Sequence, residues 1–260
     1  MSVTVITGAS SGMGRSCVEQ LRGTADHLVT VDLVAPDIEG TRGIACDVAD
    51  PTAIGSLVDQ VSELGPLRGL VHAAGISPTM ADPRRVIEVD LVGTALVLEA
   101  FEPMVEEGTA GVCFSSSAAY QVALAGIDPE LQAFVSEPLV PGFLDDAAAR
   151  FDDSGMAYSW AKRGVIAVVG HAAVRWGAKG GRVNSVAPGL IDTPMGRQEF
   201  EQQPVMALML EKTPLGRLGR SEEAAAVVTF LLSSQASFIS GIDVLVDGGG
   251  LQGFVEMMKG

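Results

Sequence analysis

Val3-Thr4-Val5-Ile6-Thr7-Gly8-Ala9-Ser10-Ser11-Gly12-Met13-Gly14 decides the fold. A β-branched, apolar run passes through a glycine-rich turn into a helix-like segment. Glycines permit positive φ and close backbone approach, so amides at a helix N-terminus can face a pyrophosphate. Gly8, Ser10, Ser11, Gly12, Met13 and Gly14 are therefore candidate cofactor contacts. A glycine-rich turn alone is a weak signal, and its place at the first strand-to-helix turn strengthens it. The next strand-like run, Leu28–Asp32, ends on an acid. In dinucleotide folds an acid there accepts hydrogen bonds from the adenosine ribose hydroxyls and repels a 2′-phosphate; a plain turn residue is the other reading. Ser11, and not Lys or Arg, precedes the second glycine, so no cation offsets that repulsion. Arg15 is near, with no direction assigned to it. The cofactor expected is NAD(H).

Outward from this turn, strand-like and helix-like segments alternate. Val3–Thr7, Leu28–Asp32, Gly43–Cys46, Leu67–His72, Gly111–Ser115, Arg182–Ala187 and Asp243–Asp247 read as strands, several apolar throughout as in parallel sheets buried on both faces. Helices are expected near Gly14–Arg22, Pro51–Ser62, Pro83–Val105, Met156–Trp176 and Ser221–Ser233, the last with Ser221 as its cap. This alternation predicts an α/β, doubly wound parallel sheet of Rossmann type: seven strands flanked by helices, one domain over residues 1–260. One segment interrupts it. Residues 118–155 carry Pro129, Pro138 and Pro141 among apolar and acidic residues, and read as an ordered insertion built of short helices.

Composition narrows the function classes. Seventeen basic and 32 acidic residues give a net charge of −15, which repels nucleic acid and anionic membranes. No apolar run reaches the roughly 18–20 residues of a membrane span, and no basic leader precedes the first strand. Cys17, Cys46 and Cys113 are scattered without metal-ligand spacing, so no metal is expected and a reducing, cytoplasmic location is.

Tyr158-Ser159-Trp160-Ala161-Lys162 places a phenol and an ammonium four residues apart, on one helix face. A phenol is a poor acid or base near neutrality, and an adjacent cation favours its phenolate. Tyr-x-x-x-Lys is common by chance as a surface pair. This one begins a long apolar helix, and the chain has only two tyrosines.

The ordered set of motifs resembles the short-chain dehydrogenase/reductase family, of the compact type that is one Rossmann domain. It comprises Thr7-Gly8 to Gly14, Asp32, Asp47-Val48, Ala73-Ala74-Gly75, Ser115-Ser116-Ser117, Tyr158 with Lys162, and Pro188-Gly189. The resemblance implies that Ser116 orients the substrate oxygen, with Ser115 as the alternative register. It implies that Tyr158 exchanges the proton, and that Lys162 lowers the phenol's pKa and holds the nicotinamide ribose. Asp47 and Val48 would meet the adenine, Ala73, Ala74 and Gly75 would line the cofactor, and Pro188, Gly189, Ile191 and Thr193 would embrace the carboxamide. A structural Pro-Gly bend is the plainer reading of that last turn. Two departures stand out. His72 replaces the Asn that often opens the fourth-strand motif and is expected to be a packing or hydrogen-bonding residue. Asp90 stands where the family has an Asn that kinks the fourth helix, whose carbonyl holds a water on the proton path to the lysine.

The long Ser116–Tyr158 separation is similar to that of bacterial 3α-hydroxysteroid dehydrogenase/carbonyl reductases in the family. The expected activity is NAD(H)-dependent interconversion of a secondary alcohol and a ketone, on a small hydrophobic substrate of alicyclic or steroid type. A generic carbonyl reductase, a dihydrodiol or terpene-alcohol dehydrogenase, and a non-catalytic NAD-binding regulatory protein are the alternatives. Residues 195–209 read as a flexible stretch over the substrate, and the insertion as a segment shaping access to it. The apolar surface of the two long helices, with the family's habit of pairing them, predicts a homodimer or homotetramer.

Overall fold

Val3–Thr7 form β1, and all five residues are buried. The computed structural model describes residues 1–259. β1 is followed by α1 (Gly12–Leu21), β2 (His27–Asp32), β3 (Arg42–Ala45), α2 (Pro51–Ser62), β4 (Leu67–His72), α3 (Pro83–Ile87), α4 (Gly93–Phe101) and β5 (Ala110–Phe114). Then come α5 (Ala118–Leu124), α6 (Pro129–Val135), α7 (Phe143–Arg150), α8 (Ser154–Gly177) and β6 (Arg182–Pro188). The chain finishes with β7 (Ile191–Asp192), α9 (Pro194–Gln202), α10 (Val205–Lys212), β8 (Gly219–Arg220), α11 (Ser221–Leu232), β9 (Asp243–Val246) and α12 (Gly250–Lys259).

Seven strands pair in parallel in the order β3-β2-β1-β4-β5-β6-β9, while β7 and β8 make a small second sheet. This is the expected Rossmann-like sheet. Its strand order reverses between β1 and β4, and the crevice that opens beyond their carboxyl ends is where such sheets take ligands. Apolar side chains leave β1 on both faces. Val3 and Val5 join the core shared with α2, α4 and α8, whereas Ile6 packs with Cys17 and Val18 of α1 and Ala224, Ala225 and Val228 of α11. Gly111 shows how closely α8 lies on the sheet: a Cβ there would sit 2.8 Å from Trp176 Cζ3.

Four expectations change. The helix read as Pro83–Val105 is broken by a π-helical turn, Glu88–Val92, and its end is a 3₁₀ turn. Such a bulge re-aims side chains by inserting one residue, and here it carries Asp90 inward. The cap of α11 is Arg220, not Ser221: the Glu223 carboxylate reaches back to the Arg220 amide at 2.8 Å. Ser221 instead takes a hydrogen bond from Ser16, which ties α11 to α1. Residues 195–209 are helical through most of their length, in α9 and α10, because Thr193 caps α9 by accepting from the Gly196 amide at 2.9 Å. The insertion forms α5, α6 and α7 as an ordered unit, yet its middle packs on α8 and α3. Gly164 of α8 marks that contact, since a Cβ there would lie 2.7 Å from both Leu91 Cδ1 and the Val135 carbonyl. Among the described residues no helix is long and apolar enough to cross a membrane, and no cluster could hold a metal ion.

Candidate active site

Two adjoining cavities lie beyond the carboxyl ends of the strands. The first, of about 270 Å³, is lined by Gly8, Ser11, Gly12, Met13, Gly14, Asp32, Asp47, Val48, Ala73, Ala74, Gly75 and Thr193. Its shape depends on missing side chains. Gly8 has φ of 65°, and a Cβ there would lie 2.7 Å from the Ala73–Ala74 peptide; one on Gly14 would run into the Gly8 carbonyl. The amino end of α1 opens into this groove, where unpaired amides attract an anion. Asp32 is held from two sides, accepting from the Ser10 amide at 3.0 Å and the Leu33 amide at 2.8 Å. An anchored carboxylate at one end and a helix N-terminus in the middle fit a ribose and a pyrophosphate. Arg15 turns away to Glu19 at 2.9 Å, so it does not offset Asp32. Asp47 reaches the groove but spends its carboxylate on Arg85, at 2.9 Å, and on the Ala49 amide. Burial raises its pKa, and these donors more than reverse that, holding it below the usual carboxylate range. Arg85, which no motif marks, also lines the groove.

The second cavity, of about 320 Å³, holds Ser116, Tyr158, Pro188, Gly189 and Ile191, and shares Met13 and Thr193 with the first. Ser116 lies just beyond the end of β5 and lines the same cavity as the phenol of Tyr158, one turn into α8; its hydroxyl accepts from the Ala118 amide at 3.2 Å. The neighbouring Ser115 hydroxyl is engaged elsewhere, donating to Asp243 Oδ1 at 2.6 Å. Asp243, which sequence reading passed over, also accepts from Ser185 and from Tyr120, and so clamps β5, β6, β9 and α5 together beneath the serines.

Lys162 is almost wholly enclosed, one turn after Tyr158. Its ammonium lies 5.5 Å from the Tyr158 ring centroid and donates at 3.3 Å to both Asp90 Oδ1 and the Phe114 carbonyl. Asp90 is fully buried, and its Oδ1 also accepts from the Ile76 amide at 3.0 Å. Its Oδ2 has no partner among the described residues. Burial, outweighing Lys162 and the Ile76 amide, moves the Asp90 carboxyl above the usual range. The Asp90 carbonyl is taken by the Thr94 hydroxyl at 2.8 Å.

Lys162 is expected to lower the Tyr158 pKa, and the remaining surroundings of the phenol push it the other way. Burial drives the phenol well above its ordinary value, Asp90 and Glu199 add to the rise, and only the Ser116 hydroxyl opposes it. The physical reason is first the desolvation of the phenolate, to which the nearby Asp90 carboxyl adds. His72 is a packing residue, as expected: it is buried, pairs with the Thr7 hydroxyl at 2.9 Å, and is pushed down to about 3 by burial and Lys162. Asn184 is likewise structural, bonding the Ile239 carbonyl and the Ile242 amide. Lys162, Asp90 and Ser10 sit behind the cavity walls, whereas the other expected residues line one cavity or the other.

A family profile described as "Enoyl-(Acyl carrier protein) reductase" matches residues 8–126 and 146–250. The chain belongs to the short-chain dehydrogenase/reductase family. The residues left between the two matched stretches fall inside the insertion. Cis-4-hydroxycyclohexanecarboxylate dehydrogenase of Sinomonas cyclohexanicum is 34% identical over 95% of each chain. The 3-alpha-hydroxysteroid dehydrogenase/carbonyl reductase of Comamonas testosteroni is 28% identical over 96% of each. The crystal structure of the 3-alpha-hydroxysteroid dehydrogenase from Pseudomonas sp. B-0831 complexed with NADH superposes with a TM-score of 0.82, at 28% identity, over 100% of this chain and 98% of that one. The short-chain dehydrogenase/reductase is thus similar to oxidoreductases of alcohol and ketone substrates.

Proposed function

We propose that this short-chain dehydrogenase/reductase is a single-domain, NAD(H)-dependent enzyme that interconverts a secondary alcohol and a ketone on a compact, largely apolar alicyclic substrate. The observation that carries the reading is the meeting of Ser116 and Tyr158 in one cavity that adjoins a groove lined by the anchored Asp32. Ser116 orients the substrate oxygen. Tyr158 takes the hydroxyl proton during oxidation and returns it during reduction. Lys162 supplies the field that makes the phenolate attainable, and Asp90 sets how much of that field Tyr158 feels. NAD(H), when bound, accepts or donates the hydride; Gly8, Ser11, Gly12, Met13 and Gly14 would receive its pyrophosphate, and Asp32 its adenosine ribose.

Size and lining support the substrate class. About 320 Å³ must hold both the nicotinamide end and the substrate, which favours one ring over a four-ring steroid. Leu190, Met195, Met206, Met209 and Phe254 give walls that are mostly apolar and adaptable. The activities named for the Sinomonas and Comamonas relatives, both on cyclic alcohols or ketones, agree with this class. The test is absorbance of NADH at 340 nm with NAD or NADP and a panel of cyclohexanols, terpene alcohols and 3α-hydroxysteroids. Turnover of cyclohexanols with NAD is expected. No turnover with any alcohol, in a protein that binds NADH, would favour a cofactor-binding regulator instead.

A further inference from the structure

Glu199, on the second turn of α9, is the one charged side chain among the residues that line the Ser116–Tyr158 cavity. It is half-buried, and no Lys, Arg or His forms an ion pair with it among the described residues. Its neighbours are the Ser77 hydroxyl and, within electrostatic reach, Tyr158, Asp90 and Lys162. The helix that carries it is pinned at its start by the Thr193 cap, and a Cβ on Gly196 would run into the Ile191 carbonyl, so the carboxyl is presented from a fixed support. Enclosing a carboxyl without a cation is costly. Burial accordingly moves it above the usual carboxylate range, with Asp90 adding to the rise and Ser77 and Lys162 opposing it. A group kept at such a cost inside a ligand cavity is a candidate for contact with the ligand itself.

Resting on the alcohol-dehydrogenase reading, we infer that Glu199 is a specificity-determining residue that accepts a hydrogen bond from a second hydroxyl of the substrate, making cyclic diols the preferred class. Three features select a neutral hydroxyl. An anionic substituent would face Glu199 with Asp90 behind it. A cationic one would bring a second positive charge within electrostatic reach of Lys162. A purely hydrocarbon ring would leave the carboxyl desolvated and unpaired, which is the arrangement a binding site discriminates against most strongly. Gln121 and Gln203, at other points of the same wall, supply neutral polar contacts compatible with a hydroxylated ring.

The experiment compares kcat/KM with NAD for cyclohexanol, the cyclohexane-1,2-, 1,3- and 1,4-diols, 2-aminocyclohexanol and a hydroxycyclohexanecarboxylate, in the wild type, Glu199→Gln and Glu199→Ala. A hydrogen bond to a charged acceptor corresponds to about 10- to 100-fold. At least one diol should exceed cyclohexanol by that factor in the wild type. The ratio should collapse towards unity in Glu199→Ala and persist in part in Glu199→Gln, which keeps a carbonyl acceptor. The ratio is internal to each variant, so partial loss of folded protein does not disturb it. Equal use of cyclohexanol and the diols, a diol ratio unmoved by Glu199→Ala, or preference for the amine or the carboxylate overturns the inference while leaving the dehydrogenase reading intact. Absence of turnover with every alcohol strikes that reading, and the inference with it.

Discussion

Replacing Asp90 by Asn tests how the site tunes its phenol. Lys162 Nζ lies 5.5 Å from the Tyr158 ring centroid, and Asp90 Oδ1 lies 3.3 Å from the same nitrogen. With an effective dielectric constant of about 20, an ammonium at the first distance favours the phenolate by about 3 kcal/mol. Placed end to end, the two distances put the Asp90 charge no farther than about 9 Å from the ring, where it opposes the phenolate by about 1.8 kcal/mol. The carboxylate therefore cancels more than half of the lysine's pull, in the direction of the upward shift at Tyr158. Alcohol oxidation needs the phenolate, so its rate rises as pH passes the phenol's pKa. Asn removes the negative charge and lowers that pKa. The alkaline-going limb of kcat/KM for oxidation should then move down by about one pH unit, since 1.36 kcal/mol corresponds to one unit. Activity at the optimum should stay within about tenfold, because the amide can still accept from the Ile76 amide and from Lys162. Initial rates from pH 6 to 11 with saturating NAD measure the limb. An unmoved or upward-moving limb would refute the electrostatic argument. A loss as deep as that of Tyr158→Phe would give Asp90 a proton-transfer role of its own.

Tyr158→Phe should abolish turnover while the dissociation constant for NADH, read by fluorescence, stays within about threefold; near-normal activity in the purified variant would remove the catalytic assignment. The wild type should favour NAD over NADP in kcat/KM, and Asp32→Asn should narrow that preference by about tenfold, roughly 1.4 kcal/mol; a wild-type preference for NADP would refute the reading of the anchored carboxylate. Gly164→Ala should destabilise the protein by about 1–3 kcal/mol in urea denaturation, the cost of overpacking, since its Cβ meets Leu91 and the Val135 carbonyl; a neutral result would mean that the insertion yields at this contact. Shortening residues 127–145 to a tight loop should lower the melting temperature and promote self-association in light scattering, with cyclohexanol KM little changed; a large change in substrate range would return the segment to the active site.

What the sequence made legible was whatever one backbone rule or one local spacing controls. The phosphate turn needed only the glycines at Gly8 and Gly14 and the strand before them, and each strand of the sheet announced itself by an apolar run. Tyr158 and Lys162 share a helix, so their proximity follows from helical period alone. The Ser115/Ser116 ambiguity turned on a side chain 128 residues away, because Asp243 engages Ser115. Glu199 carried no signal for the same reason: its importance lies in what α9 faces, and α9 itself was hidden in a short, polar stretch that read as flexible. The upward shift at Tyr158 was not legible because its largest cause is burial, which the motif does not encode.

The insertion shows how far a local reading can mislead about assembly. It joins Ser116 to Tyr158, which led to the expectation that it shapes access to the substrate, since both of its ends flank the chemistry. Its two ends, at Ala118, Gln121 and Gly155, line the cavity, and its middle does not. Val135, Phe143, Ala147 and Phe151 are buried and belong to the core that contains Trp160, Ala161 and Val165 of α8. Phe134 stacks on Phe143 at 4.5 Å, Arg150 covers Phe134, and Gln132 accepts from Arg163 at 2.7 Å. The apolar surface counted on α8 as surplus is thus largely the floor on which α6 and α7 sit. Among the exposed large hydrophobic residues, α8 retains only Met156 and Val174, and α4 retains none. Surplus apolar area on these two helices therefore gives no argument for a homodimer or homotetramer, and that expectation rests on the family resemblance alone. An insertion that buries its own apolar residues on a helix face removes that face from pairing with another copy of the chain. Its placement between Ser116 and Tyr158 is permitted because β5 and α8 fix both residues independently of the length of chain between them.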